Sequence, residues 1–328
     1  MNKIFLSVVV ICYNNERYIK ECLNSIISQL NKNIELIIVN DGSTDNSLKI
    51  IKNEVSKINN TKVITIKNSG ISIARNKGIS EAKGSYLMLI DGDDYICNQS
   101  ISKIIDYLLE NKPDLLLLNT TKYFEKAKLY EKEILEINHT AKITYEDLIN
   151  NKIGGRAWRF VYNLQNLRNN NIVFSDNLIY EDEEWVPKAV YHSNSIAYID
   201  IPFYFYRKTD NTITSSRDFT KILNLIEITN KTMDWFVELN EKNKYIEFSL
   251  SRCIRNILSY MKNASCEQKK EILKWYYIRR KDIFKILRSN KKMKFSFIIF
   301  GPTLGLKIYK KIFREKYKLK KCISSNII

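Results

Sequence analysis

The chain contains little of several residue types, and each shortage excludes a class of protein. Only nine of its 328 residues are glycine and four are proline, which argues against a collagen-like or low-complexity chain. Two histidines, and six cysteines with no C-x-x-C spacing, argue against a zinc site and favour reduced, packed thiols in a reducing compartment. No apolar run approaches the roughly 20 residues that a membrane-spanning helix needs.

The apolar stretch at residues 4–12 resembles a secretory signal only superficially. It is short, it is rich in β-branched residues, and no A-x-A cleavage site follows it. We therefore predict that it forms a buried first strand.

The positive charge is concentrated at one end of the chain. The net charge is +17, and residues 266–328 hold 19 Lys and Arg against 4 Asp and Glu, so the preceding residues are nearly neutral. These basic stretches also contain Trp, Phe and Ile, a combination that suits an anionic membrane surface. We predict peripheral attachment to an anionic membrane surface. A solvated helical face is the alternative, and no nucleic-acid-binding motif is present.

Strand-like and helix-like apolar patterns alternate through the first 120 residues. The predicted strands cover residues 6–12, 34–39, 62–66, 86–90 and 115–118, with a helical pattern between successive strands. Such alternation indicates an α/β fold with a Rossmann-like, mainly parallel sheet flanked by helices. Farther on, residues 196–206 are rich in aromatics and predict strands that complete the sheet. From about residue 217 the pattern is helical.

Polar clusters follow three of the predicted strands, at residues 13–16, 40–43 and 91–94. Carboxyl ends of parallel strands meet at one edge of a sheet, and ligands bind there. The sequence therefore predicts a ligand site at this edge.

The third cluster crowds three carboxylates, Asp91, Asp93 and Asp94, into four residues. Alternate residues of an extended segment point to one side, so Asp91 and Asp93 can face one site while Gly92 permits a close approach. Mg²⁺ or Mn²⁺ takes one or two carboxylates together with substrate phosphates. A metal-bound diphosphate is one interpretation of this cluster, and an ordinary Asp-Gly turn is the other.

Other charged residues also have both functional and structural interpretations. The Asp41 carboxylate can accept a hydrogen bond from a base N–H, whereas Ser43 and Asp45 suit a helix start. Arg75 can pair with phosphate or be an ordinary exposed helix residue. The acidic cluster at residues 181–184 is typical of a solvated helix start, in which a general base would need an apolar wall such as Trp185.

Five stretches, taken together, carry a family resemblance. They are SVVVICYNNERYIKECLNSIISQ (7–29), ELIIVNDGSTDNS (35–47), NSGISIARNKGISEAKGSYLMLIDGDDY (68–95), IYEDEEW (179–185) and FYFYRKTDNTIT (203–214). The chain resembles the family 2 inverting glycosyltransferases of the GT-A fold, of the type that builds bacterial surface polysaccharides. The resemblance covers roughly residues 4–215.

The resemblance implies roles for the polar residues at the sheet edge. Asp91 and Asp93 match the D-x-D motif, in which the second carboxylate binds the metal and the first contacts the ribose or the metal. Asp182 matches the aspartate that serves as general base. No histidine matches the extra metal ligand of some relatives. The residues expected at the donor nucleotide are Tyr13, Asn14, Glu16, Asp41, Arg75 and Asp91.

The activity implied by the resemblance is an inverting transfer that needs Mn²⁺ or Mg²⁺. A sugar would move from a nucleotide sugar, most often a UDP-sugar, to a hydroxyl of a glycan or lipid-linked acceptor at the cytoplasmic membrane face, in capsule, exopolysaccharide or lipopolysaccharide assembly. Residues 1–216 would form the glycosyltransferase domain, with a nucleotide-sugar half (1–120) and an acceptor half (121–216). A helical, basic region (217–328) would follow.

Two other functions remain open from the sequence. A nucleotidyltransferase also pairs a nucleotide with metal-bound carboxylates, but it usually has a glycine-rich loop where this chain reads YNNERY. A non-catalytic, membrane-docking protein could keep the fold, although the joint presence of Asp91, Asp93 and Asp182 argues against it.

Overall fold

The computed structural model describes residues 4–137, 142–208 and 218–286. The chain divides into two compact units, Met1–Ser216 and Arg217–Ile328. The described part of the first unit is an α/β domain, and that of the second is helical. The predicted motif residues 209–214 and the basic residues 287–328 lie outside the described residues.

The first unit alternates strands and helices along its first half, as predicted. Its strands are β1 (Leu6–Cys12), β2 (Ile34–Asp41), β3 (Thr61–Ile66), β4 (Tyr86–Asp91), β5 (Tyr95–Ile96), β6 (Leu115–Phe124), β7 (Leu129–Lys132), β8 (Phe160–Asn163) and β9 (Ile196–Lys208). Its helices are α1 (Ile19–Ile27), α2 (Ser47–Val55), α3 (Ile71–Glu81), α4 (Ser100–Asn111), α5 (Tyr145–Asn150), α6 (Leu164–Asn169) and α7 (Asp182–Tyr191).

The strands form one sheet in the order β3-β2-β1-β4-β8-β6-β9-β5, with β7 paired to β6. Strands β1 to β4 pair in parallel, and so do β6 and β9. The prediction of a mainly parallel sheet is confirmed for these strands. The antiparallel β8 lies between β4 and β6 and therefore starts at the edge where its neighbours end.

Helices cover both faces of the sheet. Strand β1 is apolar at nearly every position, so its side chains are buried on both faces. Val8 and Val10 belong to a core cluster that also contains Leu23 of α1. Val9 points to the other face, where a Cβ added at Gly78 of α3 would lie 2.3 Å from its side chain. Glycine at this position lets α3 pack closely on the sheet, which brings Arg75, one turn earlier, next to the strand ends.

The predicted strands agree closely with the observed ones, apart from β6, which is six residues longer than predicted. Its extension pairs with β7 and with the end of β9. The predicted strand ends at residue 118 because polar residues follow the apolar run. The observed strand continues to Phe124 because its backbone pairs with the neighbouring strands.

The second unit contains α8 (Phe219–Glu238), α9 (Lys244–Tyr260) and α10 (Cys266–Ile286). This confirms a helical C-terminal part over its described residues. Tyr277 and Ile278 of α10 are exposed. Within the described ranges, no helix combines the length and the apolarity that crossing a membrane requires. Cys12, Cys22, Cys97, Cys253 and Cys266 are free thiols.

Candidate active site

The loops that follow β1 and β2 are bound to each other at the carboxyl edge of the sheet. The Asn14 N–H donates to Ser43 Oγ (3.0 Å), and Asn14 Oδ1 accepts from the Thr44 N–H (2.8 Å). The Glu16 carboxylate accepts from the backbone and side-chain amides of Asn46 (2.9 and 2.8 Å), just before α2. Asn14 and Glu16 thus shape this edge, and their contact with a nucleotide stays a prediction.

Asp41 joins the end of β2 to the start of α3. Its two carboxylate oxygens accept from the backbone N–H groups of Ser69 (2.7 Å) and Gly70 (2.9 Å). Gly70 has a φ of +89°, which favours glycine at this turn. Each oxygen keeps a second lone pair, so a base N–H can still be accepted there. Tyr13 exposes 43% of its surface at the end of β1.

Arg75 connects the two acidic motifs of the sequence. One terminal nitrogen donates to Asp91 Oδ1 (2.8 Å), and the other forms an ion pair with Glu181 Oε1. The side chains of Arg75 and Glu181 are only 4% and 6% exposed. The guanidinium also lies 5.3 Å from the ring centroid of Phe174. Arg75 therefore lies at the predicted edge, but its described partners are carboxylates and not phosphate.

Burial and the charge of the ion-pair partner shift the pKa values of Arg75 and Glu181 in opposite directions. Burial opposes the charge on Arg75, but the carboxylates of Asp91, Glu181 and Asp182 outweigh it and raise the pKa of Arg75. Burial raises the pKa of Glu181, Arg75 opposes this, and Asp91 adds to the rise. The influence of Asp182 on Arg75 shows that the predicted base lies close to the same charge network.

The acidic turn after β4 is held in place by residues from other strands. The Gly92 N–H donates to the Ile11 carbonyl (2.8 Å), and a Cβ at Gly92 would lie 2.7 Å from that oxygen. Asp94 is buried and accepts from the Tyr204 hydroxyl (2.6 Å) and from the Arg207 N–H (2.7 Å). The close approach predicted for Gly92 is made to β1, and Asp94 has a structural role.

Arg207 encloses this turn from the end of β9. Its Nε donates to the Asp93 carbonyl (2.9 Å), and its Nη2 pairs with Glu21 (2.6 Å). Its guanidinium carbon lies 4.7 Å from the ring centroid of Tyr18 and 5.1 Å from that of Tyr95. A buried cation surrounded by aromatic faces thus fixes the backbone of Asp93.

The Asp93 side chain is partly enclosed next to Asp91. Burial, followed by repulsion from Asp91, raises the pKa of Asp93 to about 6. The Asp93 N–H donates to the Asn15 side-chain oxygen (2.9 Å) once the amide of Asn15 is oriented to satisfy its neighbours. Asn15 therefore links the loop after β1 to the acidic turn.

The second acidic motif begins α7, where Asp182 is the first helical residue. Gly154 and Gly155 precede a buried turn at Ala157–Arg159, and a Cβ added at Gly155 would lie 2.6 Å from the Asp182 carbonyl. Only glycine allows the backbone to come so close to the start of α7. Trp185 is buried and stacks on Phe174 at 4.3 Å, so its apolar wall borders the surroundings of Arg75.

The interpretation of residues 181–184 as a solvated helix start is wrong for two of its members. Glu181 is buried against Arg75. Glu184 is also buried, and it bonds to Ser175 (2.7 Å) and Lys188 (2.6 Å). Arg75 compensates the Glu181 charge from far along the chain, and Lys188, one turn later in α7, compensates that of Glu184. Local charge patterning could reveal only the second of these partners.

The family model "Glycosyl transferase family 2" matches residues 7–170, half of the chain. The chain belongs to glycosyl transferase family 2. The matched range includes the loops after β1 and β2, α3 with Arg75, and the acidic turn. It ends before the second acidic motif.

Several named members of family 2 are similar to this chain. "Uncharacterized glycosyltransferase EpsJ" of Bacillus subtilis is 28% identical over 215 residues, 64% of this chain and 62% of EpsJ. "Putative glycosyltransferase EpsH" of the same organism is 32% identical over 62% of this chain and 60% of EpsH. This chain thus spans about three fifths of the length of these two relatives.

A solved structure shows the same fold. The crystal structure of residues 1–349 of Staphylococcus aureus TarS in complex with UDP-GlcNAc has a TM-score of 0.75 against this chain, at 19% sequence identity. The match covers 95% of this chain and 92% of that one. The predicted GT-A fold is confirmed by this likeness together with the family match.

The chemistry of the D-x-D turn fits a divalent cation of the kind that the family resemblance implies. Asp93 is a carboxylate whose ionised form is disfavoured by burial and by Asp91, so a cation beside it would be favourable. Among the described residues, no group of three or more His, Cys, Asp or Glu side chains could hold a metal by itself. Phosphate oxygens and water would therefore have to complete the coordination.

Sequence reasoning missed three residues that shape this site. The sequence predicts no role for Asn15, and it predicts Asp94 only as part of an acidic cluster. Arg207 lies in the predicted motif at residues 203–214 but had no assigned role. The sequence signal for Arg207 was its place directly after the aromatic run at residues 196–206.

Proposed function

We propose that this chain is an inverting glycosyltransferase that transfers a sugar from a UDP-sugar to a hydroxyl of a glycan acceptor in bacterial surface-polysaccharide assembly. The observation that carries the proposal is the Arg75 bridge. It ties Asp91 of the donor-side D-x-D turn to Glu181, the neighbour of the predicted base. Two motifs 90 residues apart in sequence therefore share one charge network, which supports a donor site next to an acceptor base.

The comparisons support both substrates at a coarser level. The TarS structure holds UDP-GlcNAc, and the name of S. aureus TarS is "Poly(ribitol-phosphate) beta-N-acetylglucosaminyltransferase". TarS is 26% identical over 236 residues of this chain. A UDP-sugar donor is therefore the first to test here.

In the proposed mechanism, Asp182 accepts the proton of the acceptor hydroxyl while that oxygen attacks the anomeric carbon. The bond from this carbon to the diphosphate oxygen breaks on the opposite face, so the configuration inverts. Arg75 holds Asp91 close to the start of α7 through its two ion pairs. Asp93 and Asp91 would hold Mn²⁺ or Mg²⁺, which would supply positive charge against the departing diphosphate.

The two alternative functions are less well supported. A nucleotidyltransferase usually has a phosphate-binding loop after β1, whereas the Asn15 and Glu16 backbone N–H groups here donate to Ser47 and Asp45. A non-catalytic role leaves the retained Asp91, Asp93 and Asp182 without an explanation.

A thermal-shift panel tests the donor site. The panel measures the thermal stability of the protein with UDP-, GDP-, dTDP- and CMP-sugars, each with and without Mn²⁺. One class of nucleotide sugar should stabilise the protein and the others should not. A ligand at 100 times its dissociation constant adds about 2.7 kcal/mol to the free energy of unfolding. We expect a metal-dependent shift with UDP-sugars that disappears in Asp93→Ala.

The panel has an internal check and a matched control. Because burial disfavours the Asp93 carboxylate, Asp93→Ala without ligand should be no less stable than the unchanged protein, so a lost shift reports lost binding. Asp106→Ala, on the exposed face of α4, should retain the full shift. A wild-type protein that responds to no nucleotide sugar would favour the non-catalytic function.

We also propose that the basic C-terminal region binds the anionic inner face of the membrane, where a lipid-linked acceptor would be available. The support is the charge of residues 266–328 and the exposed Tyr277 and Ile278 on α10. The full chain should sediment with phosphatidylglycerol vesicles and not with phosphatidylcholine vesicles. Binding should fall steeply between 50 and 300 mM NaCl, roughly in line with Debye screening. Equal sedimentation with both lipids would contradict this proposal.

A further inference from the structure

An aromatic stack contacts the acidic turn after β4, at the carboxyl edge of the sheet. Trp158, in the turn at Ala157–Arg159, stacks on Tyr204 with ring centroids 4.2 Å apart and an interplanar angle of 9°. Tyr206 lies 5.5 Å from Trp158 in the same arrangement. The Tyr204 hydroxyl donates to Asp94. The stack therefore starts at the acidic turn and continues away from it through Trp158.

Two cations lie against the far part of this stack. The guanidinium carbon of Arg156 is 5.7 Å from the ring centroid of Trp158 and 6.0 Å from that of Tyr206. The Lys208 Nζ is 4.4 Å from the Tyr206 centroid and 3.3 Å from its hydroxyl. Arg156 and Lys208 thus converge on one ring from two different parts of the chain.

Neighbouring acids balance the positive charge of these two residues only in part. Within the described ranges, no carboxylate forms an ion pair with Arg156 or Lys208, whereas nearby Lys122 pairs with Glu131 at 3.0 Å. Burial, and then Arg156 and Lys122, lower the pKa of Lys208, whereas the Asp94 carboxylate acts in the opposite direction. The cations therefore repel one another, and an anion placed between them would relieve this repulsion.

The position of Arg156 favours the acceptor as the source of that anion. Arg156 directly follows Gly155, whose backbone is packed against the Asp182 carbonyl. Asp182 is the proposed base for the acceptor hydroxyl, so a group bound by Arg156 would lie on the acceptor side of the site. The donor diphosphate would instead lie at Asp91 and Asp93, on the side of the aromatic stack where Tyr204 bonds to Asp94.

We propose that Arg156 and Lys208 form a binding subsite for a phosphate group of the acceptor. A phosphate offers oxygens to the planar guanidinium fork and to the ammonium group at the same time. The acceptor would then be a phosphate-bearing glycan or polyol. This proposal rests on the proposed function, because it takes Asp182 as the base.

The test uses the full chain in complex with UDP and Mn²⁺, titrated with glycerol 3-phosphate in a calorimeter. Glycerol is the uncharged matched probe, and the buffer contains 150 mM NaCl to suppress non-specific attraction. We expect binding of glycerol 3-phosphate and none of glycerol. In Arg156→Gln and in Lys208→Gln, the affinity for glycerol 3-phosphate should fall at least tenfold, while the affinity for UDP should stay within twofold.

Lys132→Gln on β7 is the control, because it removes the same charge from an exposed position and should leave both affinities unchanged. No binding of glycerol 3-phosphate by the unchanged protein would overturn the proposal. A fall in UDP affinity in Arg156→Gln would overturn it as well, since the subsite would then belong to the donor. A wild-type chain that fails to bind UDP contradicts the proposed function independently of the phosphate result.

Discussion

Asparagine in place of Asp182 should lower the rate of sugar transfer by about 10²–10⁴-fold, the usual contribution of a positioned general base. The amide keeps the shape of the side chain but cannot accept the proton of an acceptor hydroxyl. Donor binding should not change, because the D-x-D turn is fixed by Asn15, Tyr204 and Arg207 and not by Asp182. The measurement is UDP release from the UDP-sugar that the thermal-shift panel selects, with acceptor glycan from bacterial membranes.

Glu183→Gln is the matched control for this substitution. Glu183 is the next residue of α7, so this substitution also removes one negative charge from the start of the helix. It leaves the proposed proton acceptor, Asp182, in place. We expect near-normal release of UDP from this variant. A near-normal rate in Asp182→Asn would show that another group takes the proton.

Methionine in place of Arg75 should lower the free energy of unfolding by about 3–5 kcal/mol, the usual cost of removing one partner from a buried ion pair. Methionine keeps much of the volume of the side chain but leaves the Glu181 carboxylate buried without its cation. Transfer should be lost as well, because Asp91 and the start of α7 lose their common anchor. Denaturant unfolding followed by circular dichroism measures the first effect.

A second substitution distinguishes lost charge pairing from lost packing. In Arg75→Met combined with Glu181→Gln, no unpaired Glu181 charge remains, so part of the stability should return and the two effects should not add. Lys77→Met lies on the same helix but pairs with Glu81 at the surface, and it should cost no more than about 1 kcal/mol. Additive effects of Arg75→Met and Glu181→Gln would mean that the two side chains are not coupled.

Much of the sheet was predictable because its signals are local. The buried strands β1, β2 and β4 have continuous apolar runs, and each ends in a polar cluster that marks the carboxyl edge. The D-x-D turn could be located for the same reason. The position of Asp182 came from the family resemblance and not from periodicity.

The partners of these residues could not be predicted, because they come from far along the chain. Glu181 meets Arg75 across 106 residues, and Asp94 meets Tyr204 across 110. Hydrophobic periodicity contains no information about such pairs. An acidic run therefore appeared to be solvated, although two of its members are buried and compensated.

The Arg207 contact also limits how members of this family can be recombined. The acidic turn after β4 belongs to the predicted donor half (1–120), yet Tyr204 and Arg207 from β9 hold its backbone in place. A chimaera that exchanged the acceptor half for that of another transferase would replace those supports along with acceptor specificity. Modular exchange at residue 120 should therefore succeed only when the incoming half contains a tyrosine and an arginine in register with Asp94 and Asp93.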